Sequence, residues 1–117
     1  MTIAIGGMKK QEMEAAIKEH APQIETIVTT DIGAAPMLKS GEADYYFGAC
    51  ESGGGAAISI LIGMLGYNKT ATVARPGQKP DPETIRKYKE EGKIVFGMSH
   101  NAIDETVPML LDILMEE

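Results

Sequence analysis

With 117 residues, 44% of them hydrophobic, the chain is sized for one packed domain with a real core. Lysine and arginine number 11 against 17 aspartate and glutamate, a formal net charge of −6, and no basic run occurs anywhere. Nucleic acid and anionic membrane are therefore excluded as partners, since both are held by clustered cationic side chains.

Aromatic residues make up only 5% and tryptophan is absent, so Ile, Leu, Val, Ala and eight Met must fill the interior. Cys50 is the single cysteine; no internal disulfide can form, and a reducing compartment follows. The first residues, Met1 to Gly7, lack the charged region of a signal peptide. The longest apolar stretch, Ala56–Gly66, is about half a bilayer span. A soluble cytoplasmic protein without membrane insertion is expected.

In chain order, Ile3–Ile5 ending in Gly6-Gly7 reads as a first strand. Lys10–His20 sets Met13, Ala16 and Ile17 on one face of a surface helix, and His20 at its end complements the helix dipole. Ile24–Val28 is a second strand. Asp31 is the expected N-cap of a short helix reaching Lys39, with Pro36 in its first turn or kinking it. Asp44–Ala49 forms the third strand, the turn Cys50–Gly55 follows, and Ala56–Leu65 is an apolar helix. Thr70–Ala74 is the fourth strand, broken by Arg75-Pro76-Gly77. Asp81-Pro82-Glu83 combines an N-cap, a proline at the first helical position and an acid in the first turn, and Gly92 ends that helix. Ile94–Gly97 is strand five. The last helix carries Ile103, Val107, Leu110, Leu111 and Leu114 at helical spacing, with a kink expected at Pro108.

Strands separated by helices run parallel, and right-handed crossovers then cover both sheet faces. The expected fold is a single α/β domain over residues 1–117: a three-layer, doubly wound parallel sheet of five strands in the order 2-1-3-4-5, Rossmann/flavodoxin-like. In that arrangement ligands sit beyond the carboxyl ends of strands one and three, where the winding reverses. Gly6-Gly7-Met8-Lys9 and Cys50-Glu51-Ser52-Gly53-Gly54-Gly55 converge there. Arg75 to Lys79 and Ser99-His100-Asn101 come beside them.

Three successive glycines before a helix let backbone amides approach a ligand, and the helix end favours an anion. Gly7, Ser52, Gly53, Gly54, Gly55 and His100 are accordingly candidate ligand-binding residues, with Arg75, Lys9 and Lys79 as candidates to supply neutralising charge, Arg75 first among them. The other reading of the glycine run is a tight strand-to-helix turn and nothing more. Cys50, at the helix entry, is a candidate base or nucleophile, or else a small buried hydrophobe. His100 falls at the expected ligand edge, or merely caps a helix. The glycine spacing fits neither a P-loop nor a dinucleotide fingerprint, and no His/Cys/Asp/Glu cluster has metal-ligand spacing; no cofactor or metal is expected.

The stretch from Gly41-Glu42-Ala43-Asp44 through Gly66, with Cys50-Glu51-Ser52-Gly53-Gly54-Gly55 at its centre, resembles the central motif of ribose-5-phosphate isomerase B and the galactose-6-phosphate isomerases. The resemblance implies that Cys50 is a base moving a proton between adjacent sugar carbons, that Ser52 replaces a threonine, and that Gly53 and Gly55 line an anion site. The Asp-His pair of those enzymes after strand one is missing, since the turn reads Gly6-Gly7-Met8-Lys9, and Glu51 replaces a glycine. Over nearly the whole length, Asp44 to Cys50, Gly66-Tyr67-Asn68-Lys69 and Pro108-Met109-Leu110 resemble the YhfU-like bacterial family of unknown function.

The helix Ala56–Leu65 is apolar on almost every face, and Met109, Ile113 and Met115 widen the stripe of the last helix. A homodimer is the expected solution. Two functions fit these residues: a protein binding a small anionic metabolite, sugar phosphate or carboxylate, with isomerase-like chemistry, or a non-enzymatic accessory or regulatory subunit of a transport or metabolic system.

Overall fold

The structure, a computed structural model, describes residues 1–52 and 56–116. Five strands form one parallel sheet: β1 (Thr2–Gly7), β2 (Glu25–Val28), β3 (Tyr45–Cys50), β4 (Thr70–Ala74) and β5 (Val95–Ser99). Five helices join or follow them: α1 (Lys10–His20), α2 (Asp31–Ser40), α3 (Ala56–Leu65), α4 (Pro82–Glu90) and α5 (Ile103–Leu114). Single turns of 3-10 helix at Tyr67–Lys69 and His100–Ala102 precede β4 and α5.

The doubly wound α/β architecture is as expected, but the strand order is 2-1-3-5-4, with the last two strands exchanged. Composition explains the exchange. Every residue of β5, Val-Phe-Gly-Met-Ser, is buried, as an interior strand between two covered neighbours requires. β4 is Thr-Ala-Thr-Val-Ala, small and partly polar, and its pairing slips between Thr72 and Ala74, an irregularity suited to an edge.

The exchange also redistributes the helices. The step from β4 back to β5 reverses direction, so a right-handed crossover carries α4 to the face already holding α1 and α5. That three-helix face covers the larger core, built on Ile3, Ile5, Phe47, Phe96, Met98, Leu110 and Leu111. Met109 and Met115 pack against it and Ile113 is buried, so the wide stripe of α5 is covered within the chain, contrary to the expectation of an outward apolar face there. The opposite face carries only α2 and α3, over Ala4, Tyr46, Cys50 and Val95. On α3, Ile58 and Leu61 turn inward while Ile60 and Met64 remain exposed.

Local chemistry sets the ends. Thr30, not Asp31, caps α2: its hydroxyl accepts from the Gly33 N–H at 3.0 Å, which leaves the Asp31 side chain for another use. Pro36 lies in the second turn of α2 on its exposed side rather than in the first. Asp81 caps α4 with Pro82 at the first position, and Gly92 beyond its end has φ 83°, the left-handed geometry a glycine takes without strain. His20 pairs with Asp112 of α5 at 2.7 Å, joining two helices of the larger layer. No helix among the described residues is long and apolar enough to cross a membrane.

Candidate functional site

The winding reverses between β1 and β3, so the crevice beyond their carboxyl ends is the place to look. A cavity of about 230 Å³ lies there, lined by Gly7, Met8, Asp31, Ala49, Cys50, Glu51 and Ser52. One wall is closed by backbone: Gly7 takes φ 78° and the following Met8 N–H donates to the Ala49 carbonyl at 2.8 Å. A Cβ at Gly7 would be driven into that carbonyl, so only glycine permits the approach. The Cys50 thiol and the Ser52 hydroxyl are 3.9 Å apart.

Behind the lining stands a residue pair that local patterning conceals. Tyr46 and Cys50 project to the same sheet face, four residues apart on β3. Between them Gly48 is paired in register with Gly6 of β1, and a Cβ on either glycine would collide with the Tyr46 ring and hydroxyl. The ring therefore lies along the sheet over these glycines, pointing its hydroxyl toward the carboxyl edge. Tyr46 is fully buried, and its hydroxyl donates a short hydrogen bond to Asp31 Oδ1 at the start of α2. Burial pushes the phenol upward first, with the Asp31 hydrogen bond, the Asp31 charge and the nearby Cys50 adding to it; the O–H stays a donor throughout the physiological range.

Of the residues singled out from the sequence, Gly7, Cys50 and Ser52 meet in this crevice. Gly53, Gly54 and Gly55 lie outside the described residues. Arg75 does not line the crevice. It lies in a second groove of about 290 Å³, with Gln78, Lys79, Ser99, Asn101 and Glu105 among its walls. The strand exchange is the reason: β5 stands between β3 and β4, so Ser99 rather than Ala74 is the partner of Cys50 in register. His100 accordingly sits one residue beyond that partner, half-buried, with a buried Nδ1 that has no hydrogen-bond partner among the described residues. Lys9 is exposed in left-handed geometry ahead of α1.

Charge is thus divided along one edge. Asp31 and Glu51 are the charged side chains of the crevice, and no lysine or arginine is among its described lining residues. Arg75 and Lys79 gather two strands away. Among the described residues no group of three or more His, Cys, Asp or Glu side chains is placed to hold a metal ion. Sequence reasoning missed Asp31, taken as a cap, and Tyr46, taken as a strand residue. The available signal was a glycine inside each of two strands, which marks a close approach by a neighbour.

This parallel α/β sheet has a fold shared with type B ribose-5-phosphate isomerases. The isomerase B structure from Clostridium thermocellum superposes with a TM-score of 0.73 and 18% identity, over 99% of this chain and 84% of that one. The type B enzyme of Trypanosoma cruzi gives 0.71 and 16%, over 100% and 89%. At these identities the likeness establishes the fold alone. The chain belongs to the family described as protein of unknown function DUF2620, which matches residues 1–114. It is 42% identical over 111 residues to the protein named uncharacterized protein YhfU in Escherichia coli, covering 94% of this chain and 95% of that one. The YhfU of Shigella flexneri matches equally.

Proposed function

We propose that the protein binds a small phosphorylated or carboxylated metabolite along the carboxyl edge of its sheet, and that Cys50 acts on it as a proton-transfer base in an isomerase-like reaction. The observation that carries this is the crevice itself: a thiol, a hydroxyl and two carboxylates around about 230 Å³ at the switch point. The isomerases that share the fold are named for a sugar phosphate, which supports that substrate class. The anionic end fits Arg75 and Lys79, two strand spacings or about 10 Å from Cys50, rather than the acidic crevice. Gly53–Gly55 belong to the same site on the sequence argument, and the single cysteine, which no second thiol within the chain can pair with, supports a reducing, cytoplasmic setting.

A thermal-shift screen of sugar phosphates and small carboxylic acids tests the reading. A ligand at a hundredfold excess over its Kd stabilises the native state by about 2.7 kcal/mol. Arg75→Ala is expected to abolish the shift for phosphorylated compounds and leave the unliganded melt unchanged. No shift with any compound would end the proposal.

A second reading, an accessory or regulatory subunit, is favoured by the β1 turn Gly7-Met8-Lys9, which lacks an acid-histidine pair, and by exposed Ile60, Met64 and Tyr67. Co-purification with a partner, together with a blank screen, would establish it instead. Both readings include a homodimer through α3, which has exposed apolar residues and no charged one, so two copies of an acidic chain can meet there without like-charge repulsion.

A further inference from the structure

We propose that Asp31, clamped by Tyr46, is the second proton-transfer group of this crevice, serving the oxygens of an α-hydroxy carbonyl substrate while Cys50 serves its carbon. The inference rests on the proposed role of Cys50 and adds the group that role leaves unsupplied. Moving a carbonyl to the adjacent carbon requires two proton transfers, one between carbons and one between oxygens, and a single thiol performs only the first.

Three features single out Asp31 rather than Glu51. It lines the cavity from the start of α2 while Cys50 lines it from the end of β3, so one bound substrate meets both groups from different elements. Its Oδ1 is fixed by a fully buried tyrosine that the chain accommodates by omitting side chains at Gly6 and Gly48. Its Oδ2 has no hydrogen-bond partner among the described residues, whereas Glu51 is exposed on a turn. A carboxylate held on one oxygen and open on the other is preorganised to exchange a proton without losing its position.

The step balances. Cys50 thiolate takes the proton from the hydroxyl-bearing carbon, and the electron pair moves into the new carbon–carbon double bond as the carbonyl oxygen gains negative charge. Asp31 takes the proton of the neighbouring hydroxyl and delivers it to that oxygen. As the hydroxyl oxygen becomes the new carbonyl, the double bond takes the proton back from the Cys50 thiol at the other carbon. Both groups end as they began, and no oxidant or co-reactant is needed.

Proton NMR in D2O with ribose 5-phosphate as the probe separates the two transfers. The native chain is expected to place deuterium on the substrate carbon and to form ketose. Asp31→Asn, whose amide oxygen still accepts from Tyr46, is expected to keep deuterium incorporation and to lose ketose formation by about 100-fold or more, with an unchanged melting curve. Tyr46→Phe should lower ketose formation without raising KM, and Cys50→Ala should lose both signals. Ketose formation unaffected by Asp31→Asn, or deuterium and ketose falling together, would overturn the proposal. A native chain that incorporates no deuterium from this probe would instead defeat the underlying role of Cys50, and this inference with it.

Discussion

Gly48→Ala is the sharpest test of how Tyr46 is seated against the sheet to hold Asp31. The added methyl would stand 2.7 Å from the Tyr46 Cε1, 2.8 Å from its hydroxyl and 3.0 Å from Cζ. The ring cannot swing aside, because it is fully buried among Ala4, Ala34, Leu38 and Leu61. Overpacking of this kind costs about 1–3 kcal/mol, and losing the hydrogen bond to the Asp31 carboxylate costs about 1.5–3 kcal/mol more. The ordinary gain of alanine over glycine in a strand offsets about 0.5–1 kcal/mol. A net loss near 3 kcal/mol is expected, read as a lower urea midpoint at unchanged slope. In a Tyr46→Ala background the obstruction is gone, so the same glycine replacement should become neutral or stabilising. Loss of less than about 0.5 kcal/mol in the native background, or an equal loss in both backgrounds, would refute the account of Gly48.

Other expectations follow from single features. Gly63 lies on exposed α3 with open space where a Cβ would go, so Gly63→Ala should stabilise by about 0.5–1 kcal/mol in denaturant melts. The Asp81 carboxyl is held below its ordinary range by hydrogen bonds from the Thr84 hydroxyl and N–H. Its folded form favours the charged state, so its contribution is present above the usual carboxylate pKa and disappears as pH falls through the lowered one. Asp81→Asn, which still caps, should therefore flatten the acid dependence of stability below about pH 4, as measured by melts at pH 7 and pH 3. Ile60→Glu with Met64→Glu should halve the mass seen in sedimentation if α3 pairs two copies, and leave it unchanged if the chain is already single.

Much of this architecture is legible because each element repeats its apolar residues at its own period. Thr70–Ala74 and Ala56–Leu65 coincide with the observed β4 and α3, and Asp81-Pro82 marks the start of α4 unambiguously. Strand order is not local in that sense. Parallel, right-handed connection is satisfied by either order, and only the complete burial of Val95–Ser99 against the threonines of β4 decides which strand is inside.

The site shows the same division. Gly7, Cys50 and Ser52 sit on turns that must converge wherever β1 and β3 are neighbours, so adjacency in topology sufficed to unite them. Arg75 was carried away from them by the exchange of β4 and β5, which also brought His100 nearer to the strand of Cys50. Asp31 and Tyr46 are 15 residues apart on different elements, and no short motif joins them. Thr30 and Asp31 each suit an N-cap equally, and the geometry of Gly33 decided for the threonine.

The claim on which the functional account depends is that ligand occupies the space in front of the Cys50 thiol. Since this is the only cysteine, the rate of iodoacetamide addition followed by intact mass reports that space alone. With a compound that raises the melting temperature present at saturation, labelling should slow by about tenfold or more, the mark of a thiol covered by bound ligand. Labelling at the same rate with and without that compound would show that it binds elsewhere and would contradict the account.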